Sequence, residues 1–267
     1  MSSSKDEAQR IVLIDDYHGS SGSFLRAIYG GRFIDTVIAR GHSPTESARV
    51  VKSIFRDLGC GNTLVYAGSS TVSTGESPRK HEFNYHTSLV KTSSVIQLKH
   101  PLKTILSDGI ATVIVVNSDM IDLRDFLRDH YDPRKHKIKH VIVAGNYSSF
   151  RDSILPSPLT NNSKAEAARE ALIQLERFRI TTMVLTNQVV FQIPMPINVN
   201  KLGRHPILRS LTDFNTCNVF SLMCASVPTS FRYSRIGGID SKLYDVYLKA
   251  GITYQERVLK TLASNLG

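Results

Sequence analysis

Short apolar runs bounded by turn-forming residues recur along the first two thirds of the chain and predict the strands of a buried sheet. Runs that stay apolar at consecutive positions are typical of parallel strands covered on both faces by helices. The predicted strands are Ile11–Ile14, Ile34–Ala39, Thr63–Ala67, Ala111–Val116, Val141–Ala144 and Thr181–Leu185.

Helical patterns separate these strands. Ser43-Pro44-Thr45-Glu46 has the form of a capping box with proline at the first helical position, and Gly59 closes the apolar face that follows. Ser163-Lys164-Ala165-Glu166 has the form of a second capping box, and Ile121–Asp129 predicts a short helix. Alternating strands and helices predict an α/β fold with a doubly wound, mostly parallel, Rossmann-like sheet.

The last third of the chain breaks this rhythm. The stretch 189–209 is proline-rich and has weak periodicity, which predicts a long connection. Two further helical patterns lie near Asn218–Ser226 and Ser241–Leu248. We expect residues 1–10 to form a flexible N-terminus and residues 11–267 to form a single domain.

Composition favours a globular intracellular protein and leaves its compartment open. Apolar residues make up 41% of the chain, enough for a core, and no apolar run approaches the length of a transmembrane helix. The first ten residues lack the hydrophobic stretch of a signal peptide. The three cysteines have no metal-ligand spacing, so we interpret them as reduced thiols.

The net charge of +10 points to a polyanionic partner, although a soluble protein can also simply be basic. The densest cationic stretch is "DPRKHKIKH", just before the strand at Val141. It is a candidate contact for the phosphates of RNA or DNA, and the alternative is a solvated loop. The candidate nucleic-acid-binding residues are Arg134, Lys135, Lys137 and Lys139.

Two carboxylates end the first predicted strand, in "IVLIDDYHGSSGSF". Ligands of open α/β sheets bind at the carboxyl ends of the strands, so Asp15 and Asp16 are candidates for a ligand site. The alternative is a solvated strand end. The glycines and serines that follow could offer backbone amides to an anion, or form a plain turn.

Six segments, taken in order, resemble the nucleoside hydrolase family, the metal-dependent ribohydrolases of inosine and uridine. "IVLIDDYHGSSGS" stands where that family has its aspartate-rich motif. The others are the segment ending in "VYAGSS", "ATVIVVNSDMIDLRDFLRD", "HVIVAGN", "SKAEAAREALIQLERFRITTMVL" and "CNVFSLMCASVPTSF". The resemblance covers about residues 11–250 and implies a nucleoside-hydrolase-like fold.

The resemblance implies a calcium site in which several aspartates hold the ion, the ion orients a water, and an aspartate deprotonates it. This sequence departs from that pattern. With Asp15 on the first aspartate of the motif, Tyr17, Ser21 and Gly22 stand where the family has three further aspartates. The late helix has Asn218 in place of another. The vestigial pocket candidates are Asp15, Asp16, His42, Asn117 and Asn218.

Few anionic oxygens would remain to hold a divalent cation, so we predict no bound metal, no other cofactor and no catalytic residue. The first hypothesis is a pseudoenzyme that acts as a structural or binding subunit in a nucleic-acid-containing assembly. It would bind RNA or DNA through its basic surface, and join a protein assembly or homo-oligomer. The alternatives are an active, calcium-dependent N-ribohydrolase and a nucleoside or nucleotide sensor.

Overall fold

Eleven strands are assigned in the computed structural model of the protein, which describes residues 9–17, 21–41, 43–70, 95–144, 146–147, 154–155, 162–185, 219–236, 240–249 and 254–266. The strands are β1 Arg10–Asp16, β2 Thr36–Gly41, β3 Leu64–Ser70, β4 Ile96–Gln97, β5 Thr112–Asn117, β6 Ile138–Ala144, β7 Asn146–Tyr147, β8 Ile154–Leu155, β9 Thr181–Leu185, β10 Phe231–Ile236 and β11 Leu243–Leu248.

Nine of these strands form one sheet in the order β10-β11-β9-β6-β5-β1-β2-β3-β4, and β7 pairs with β8 separately. Every neighbouring pair in the large sheet is parallel except β10 with β11, which is antiparallel at one edge. The predicted doubly wound, mostly parallel α/β sheet is therefore confirmed.

Helices cover both faces of the sheet. They are α1 Ser21–Gly30, α2 Pro44–Asp57, α3 Pro101–Ile105, α4 Ile121–Asp129, α5 Asn162–Arg177, α6 Phe220–Ser226 and α7 Tyr254–Leu266. One core packs α1, α2, α6 and α7 against alternate strand residues such as Leu13, and the other packs α3, α4 and α5 against the intervening residues such as Ile14. Burial on both faces explains why the strands are almost continuously apolar.

The six predicted strands are confirmed, with ends that shift by a few residues, and α4 coincides with the predicted helix Ile121–Asp129. The prediction of a helix over Ser241–Leu248 is wrong, because this segment forms β11 and pairs with β9 and β10. The pattern near Asn218–Ser226 contains α6. The connection predicted over 189–209 lies outside the described residues.

The two predicted capping boxes are not formed as expected. Ser43 is the N-cap of α2 and Pro44 is its first residue, but the Ser43 side chain makes no capping hydrogen bond. Glu46 instead pairs with Arg49 at 2.6 Å. The second helix, α5, already begins at Asn162, so Ser163 lies inside it. Gly59 does end α2, with a φ of 71° that suits glycine.

The order of the strands fixes where a ligand would bind. From β1 the chain moves outward through β2, β3 and β4, and then returns to the other side of β1 as β5. This reversal opens a crevice at the carboxyl ends of β1 and β5, which is the usual ligand position in open α/β sheets. Asp15 and Asn117 are register partners across these two strands.

Candidate functional site

The crevice at the carboxyl ends of β1, β2 and β5 contains a buried ion pair between Asp15 and Arg26. Asp15 lies near the end of β1 with its side chain on the face of the sheet that α1 covers. Arg26 lies in the second turn of α1. The Arg26 Nε and Nη2 atoms donate to the two Asp15 carboxylate oxygens at 2.7 Å each. The Asp15 side chain is wholly buried and that of Arg26 is nearly so. A bidentate pair of this kind occupies both oxygens of the carboxylate.

Burial sets the electrostatics of this pair. Removal from water raises the pKa of Asp15 to about 6, although the Arg26 guanidinium lowers it. Burial lowers the pKa of Arg26, but Asp15 raises it more strongly together with the neighbouring acidic groups, and the net change is upward. The guanidinium therefore remains charged, and Asp15 is mainly ionised at neutral pH.

A second buried arginine lies on the other face of the sheet. Arg40 of β2 donates from Nη1 to the Asp119 backbone oxygen at 3.0 Å and also to the Asp119 carboxylate. Its Nε atom lies 3.0 Å from the Asp122 carboxylate, and Arg40 is 0% exposed. Asp119 lies in the turn between β5 and α4, and Asp122 lies in the first turn of α4, so this cluster joins β2 to that turn and to the helix.

Strand alternation explains why the two arginines serve different carboxylates. Successive side chains of β1 point to opposite faces, so Asp15 faces α1 and Asp16 faces the α4 side. Asp16 is the register partner of Arg40. Burial lowers the pKa of Arg40, but the charges of Asp122, Asp119 and, to a smaller extent, Asp16 raise it, and the net change is upward. The adjacent aspartates in the sequence thus belong to two separate charge clusters.

Gly68 of β3 leaves space for the Arg40 cluster, because it has no side chain. A Cβ atom at this position would lie 2.9 Å from Arg40 Cγ and 3.0 Å from Asp122 Oδ2. The next residue, Ser69, accepts from Arg40 Nε through its carbonyl at 3.3 Å, and its own hydroxyl donates to Asp122 at 3.1 Å. A side chain at Gly68 would have to displace these groups.

Several buried polar atoms of the crevice have no hydrogen-bond partner among the described residues. Asn117 accepts from the Ser221 hydroxyl of α6 at 2.8 Å through Oδ1, which leaves its Nδ2 atom unpaired. The other such atoms are Tyr17 OH, Arg40 Nη2 and Asp119 Oδ2. Since buried polar groups are usually satisfied, this set indicates a place where a ligand or water completes the bonding.

The structure brings together only part of the predicted site. Asp15, Asp16 and Asn117 lie at the crevice, while His42 and Asn218 are outside the described residues. The four predicted nucleic-acid contacts are all exposed, in the segment from Arg134 to Lys139 that leads into the amino end of β6. They therefore lie at the opposite edge of the sheet from the crevice and do not contribute to it.

The sequence analysis missed the cations of the site and their partners, which are Arg26, Arg40, Asp119 and Asp122. Arg40 carries a usable signal, because a charged residue inside the apolar run "TVIAR" must be paired when the strand is buried. The "NSDMID" segment, which runs from the end of β5 into α4, supplies the carboxylates that pair with Arg40. Arg26 carries no such signal, since an arginine on a helix is ordinarily solvated.

The described residues of the crevice do not fit the calcium ion implied by the family resemblance. Calcium takes six or more oxygen ligands, with carboxylates supplying most of the charge. Here both Asp15 oxygens are bonded to Arg26, and Asp119 and Asp122 are paired with Arg40. Across the described parts of the chain, no three His, Cys, Asp or Glu side chains are arranged to hold a metal.

Solved structures with the same architecture were found by comparison. The type III effector protein XopQ, in complex with adenosine diphosphate ribose, matches with a TM-score of 0.75 and 15% identity over 98% of this chain and 93% of its own. The effector protein XOO4466 matches with a TM-score of 0.77 and 15% identity over 98% of this chain and 95% of its own.

The third structure decides the fold. The inosine-uridine preferring nucleoside hydrolase from Bacillus anthracis matches with a TM-score of 0.63 and 13% identity, over 96% of this chain and 99% of its own. The chain has a nucleoside-hydrolase-like fold. No protein-family model matches the sequence, and neither does any curated protein.

The matches cover 96–98% of this chain, but they do not specify its chemistry. Identities of 13–15% establish a shared architecture, and one architecture hosts many activities. None of the helices in the described ranges combines the length and apolar character needed to cross a bilayer.

Proposed function

We propose that this protein binds a ribose-containing nucleoside or nucleotide at the crevice, without a divalent cation and without hydrolysing it. The observation that carries the proposal is the bidentate bond between Arg26 and Asp15, which occupies both oxygens of the carboxylate that stands at the first aspartate of the family's motif. A hydrolase of this type needs the ion to lower the pKa of its attacking water. With the carboxylates committed to guanidinium groups, that activation is lost.

The unpartnered buried atoms support binding of an oxygen-rich ligand. Arg40 Nη2 and Asn117 Nδ2 are donors, Asp119 Oδ2 is an acceptor, and the Tyr17 hydroxyl can act as either. Ribose hydroxyls and phosphate oxygens would supply complementary groups to all four. The switch-point position of the crevice, and the adenosine diphosphate ribose bound by the XopQ effector of the same fold, support the same ligand class.

The proposal is tested with the purified full chain and adenosine diphosphate ribose. In excess EGTA, ligand at one hundred times its Kd should stabilise the native state by about 2.7 kcal/mol and raise the Tm by roughly 5–10 °C. Asn117→Ala should lose most of this shift. Asn62→Ala is the matched control, because Asn62 is exposed at the amino end of β3 and should retain it.

A hydrolysis assay separates binding from catalysis. Inosine and uridine, each with calcium and with EGTA, should release no base above the rate without protein. Calcium-dependent release of hypoxanthine or uracil would establish the active N-ribohydrolase and overturn the proposal. Absence of any ligand-induced stabilisation by nucleosides or adenosine diphosphate ribose would leave only a structural role for the fold.

A further inference from the structure

A concentration of positive charge lies beside α3 and the end of α4, away from the crevice. Lys99 and Lys103 are exposed, and the His100 and His130 rings contact each other with centroids 4.4 Å apart. We define the α3–α4 basic surface as these four residues together with the exposed cations of the segment 134–139. It is at the amino edge of the sheet, because that segment leads into β6.

Few carboxylates offset this charge. Asp129, at the end of α4, is nearest to the histidine pair, but both its oxygens accept from Arg128 at 2.8 Å. The following loop contributes Asp132, which lies 3.9 Å from Lys135, and the buried ring of His136. The charged and titratable groups that shift the His130 pKa are His100, Lys103, Asp129 and Lys99.

His130 therefore resists protonation in the free protein. Burial lowers the pKa of His130, and the positive charges of His100, Lys103 and Lys99 lower it further, against a smaller opposing effect of Asp129. The His130 Nε2 atom is buried and has no partner within the described residues. A negative charge placed beside His130 would offset this repulsion and favour its imidazolium form.

Two features favour a phosphate backbone over a lipid surface as the anionic partner. The apolar side chains of α3, Leu102 and Ile105, are buried in the core, as are Leu123 and Phe126 of α4. Neither helix can offer the apolar face with which amphipathic helices enter a bilayer. The exposed cations come instead from two segments of the chain, 99–103 and 134–139, and a ligand with many regularly spaced charges suits such a distribution.

We propose that the α3–α4 basic surface binds the phosphate backbone of a nucleic-acid duplex, with proton uptake from solvent by His130, whose ring contacts that of His100. The contact is made to phosphates and reads no base sequence. Binding strengthens as the pH falls from about 7.5 to about 6, the range in which imidazole gains its proton. This surface is separate from the crevice, so it binds whether or not the crevice takes a ribosyl ligand.

The probe is a labelled DNA duplex of about twenty base pairs of arbitrary sequence, titrated with the full chain and followed by fluorescence anisotropy. Wild type should bind about threefold to tenfold more tightly at about pH 6 than at about pH 7.5. The His100→Gln/His130→Gln double variant should lose this difference and keep the affinity seen at the higher pH. Binding of wild type that is independent of pH would overturn the proton uptake.

A matched pair of lysine variants tests the location. Lys103→Ala should weaken binding about threefold to tenfold and reduce the slope of log K against log salt by about 1. Lys260→Ala removes the same charge from an exposed position on α7, across the sheet, and should change neither. Equal effects of the two variants would overturn the assignment. Retention on phosphatidylserine vesicles without binding of the duplex would also overturn it.

Discussion

At the scale of single residues, the two guanidinium groups of the crevice show how buried charge is retained. Arg40 is fully buried and Arg26 largely so, and each pairs with a buried carboxylate, so neither partner can be removed without leaving an uncompensated charge. Breaking such a pair typically costs about 3–5 kcal/mol, whereas exposed pairs contribute little. The crevice is therefore held together by its own internal cations.

His140 provides a pH-dependent residue that belongs to the sheet itself. It lies in β6 between register partners in β5 and β9, and burial lowers its pKa from 6.5 to about 4, with a smaller effect of Lys139. Between these values the unfolded chain binds a proton that the native chain does not. Native stability should therefore fall as the pH drops through this window.

His140→Gln should remove that part of the pH dependence. By about pH 5, wild type should lose roughly 2 kcal/mol more than the variant, relative to each protein at neutral pH. Urea unfolding of both proteins at several pH values measures the difference. If the free energies of unfolding of the two proteins change in parallel down to about pH 5, protonation of His140 is not coupled to folding.

At the scale of elements, the local sequence pattern was sufficient to predict strands that are covered on both faces. The strands from β1 to β9 that carry long apolar runs could be predicted, as could α4. The segment Leu243–Leu248 could not, because apolar residues at Leu243, Val246 and Tyr247 fit a helical face as well as a strand. Its conformation is decided by β9 and β10, which pair with it on both sides.

The site was partly predictable for a related reason. Asp15 and Asn117 stand at strand ends, which the sequence pattern locates. The bonds that decide the chemistry join residues far apart in sequence, such as Arg40 and Asp119, and no local pattern indicates them. The sequence shows that aspartates expected from the resemblance are absent, but the buried arginines beside Asp15 and Asp119 could be seen only in the fold.

The two ends of α2 should respond differently to substitution. Ser43→Ala should change the free energy of unfolding by less than about 0.5 kcal/mol, because the Ser43 side chain makes no capping hydrogen bond. Gly59→Ala should cost about 1 kcal/mol, since Gly59 has a φ of 71° and an added methyl would meet no neighbour that compensates. Urea denaturation compares them directly, and a larger loss for Ser43→Ala would contradict the described cap.

At the scale of the whole molecule, the parallel sheet separates two kinds of electrostatic environment. At its carboxyl edge, carboxylates and guanidinium groups are buried and paired with each other. At its amino edge, lysines are exposed beside the partly buried rings of His100 and His130, and the chain as a whole carries a net charge of +10. Divalent cations should therefore find no strong site in the crevice and little attraction to the surface.

Calcium should accordingly leave the stability of the full chain unchanged. We expect the Tm in calcium and in EGTA to agree within about 1 °C. Calcium present at one hundred times the Kd of a specific site would raise the free energy of unfolding by about 2.7 kcal/mol and the Tm by several degrees. Ionic strength must be matched with sodium chloride, because salt alone screens the repulsion within a protein of this charge. A calcium-specific rise of several degrees would mean that the aspartates of the crevice can release their arginines and coordinate the ion.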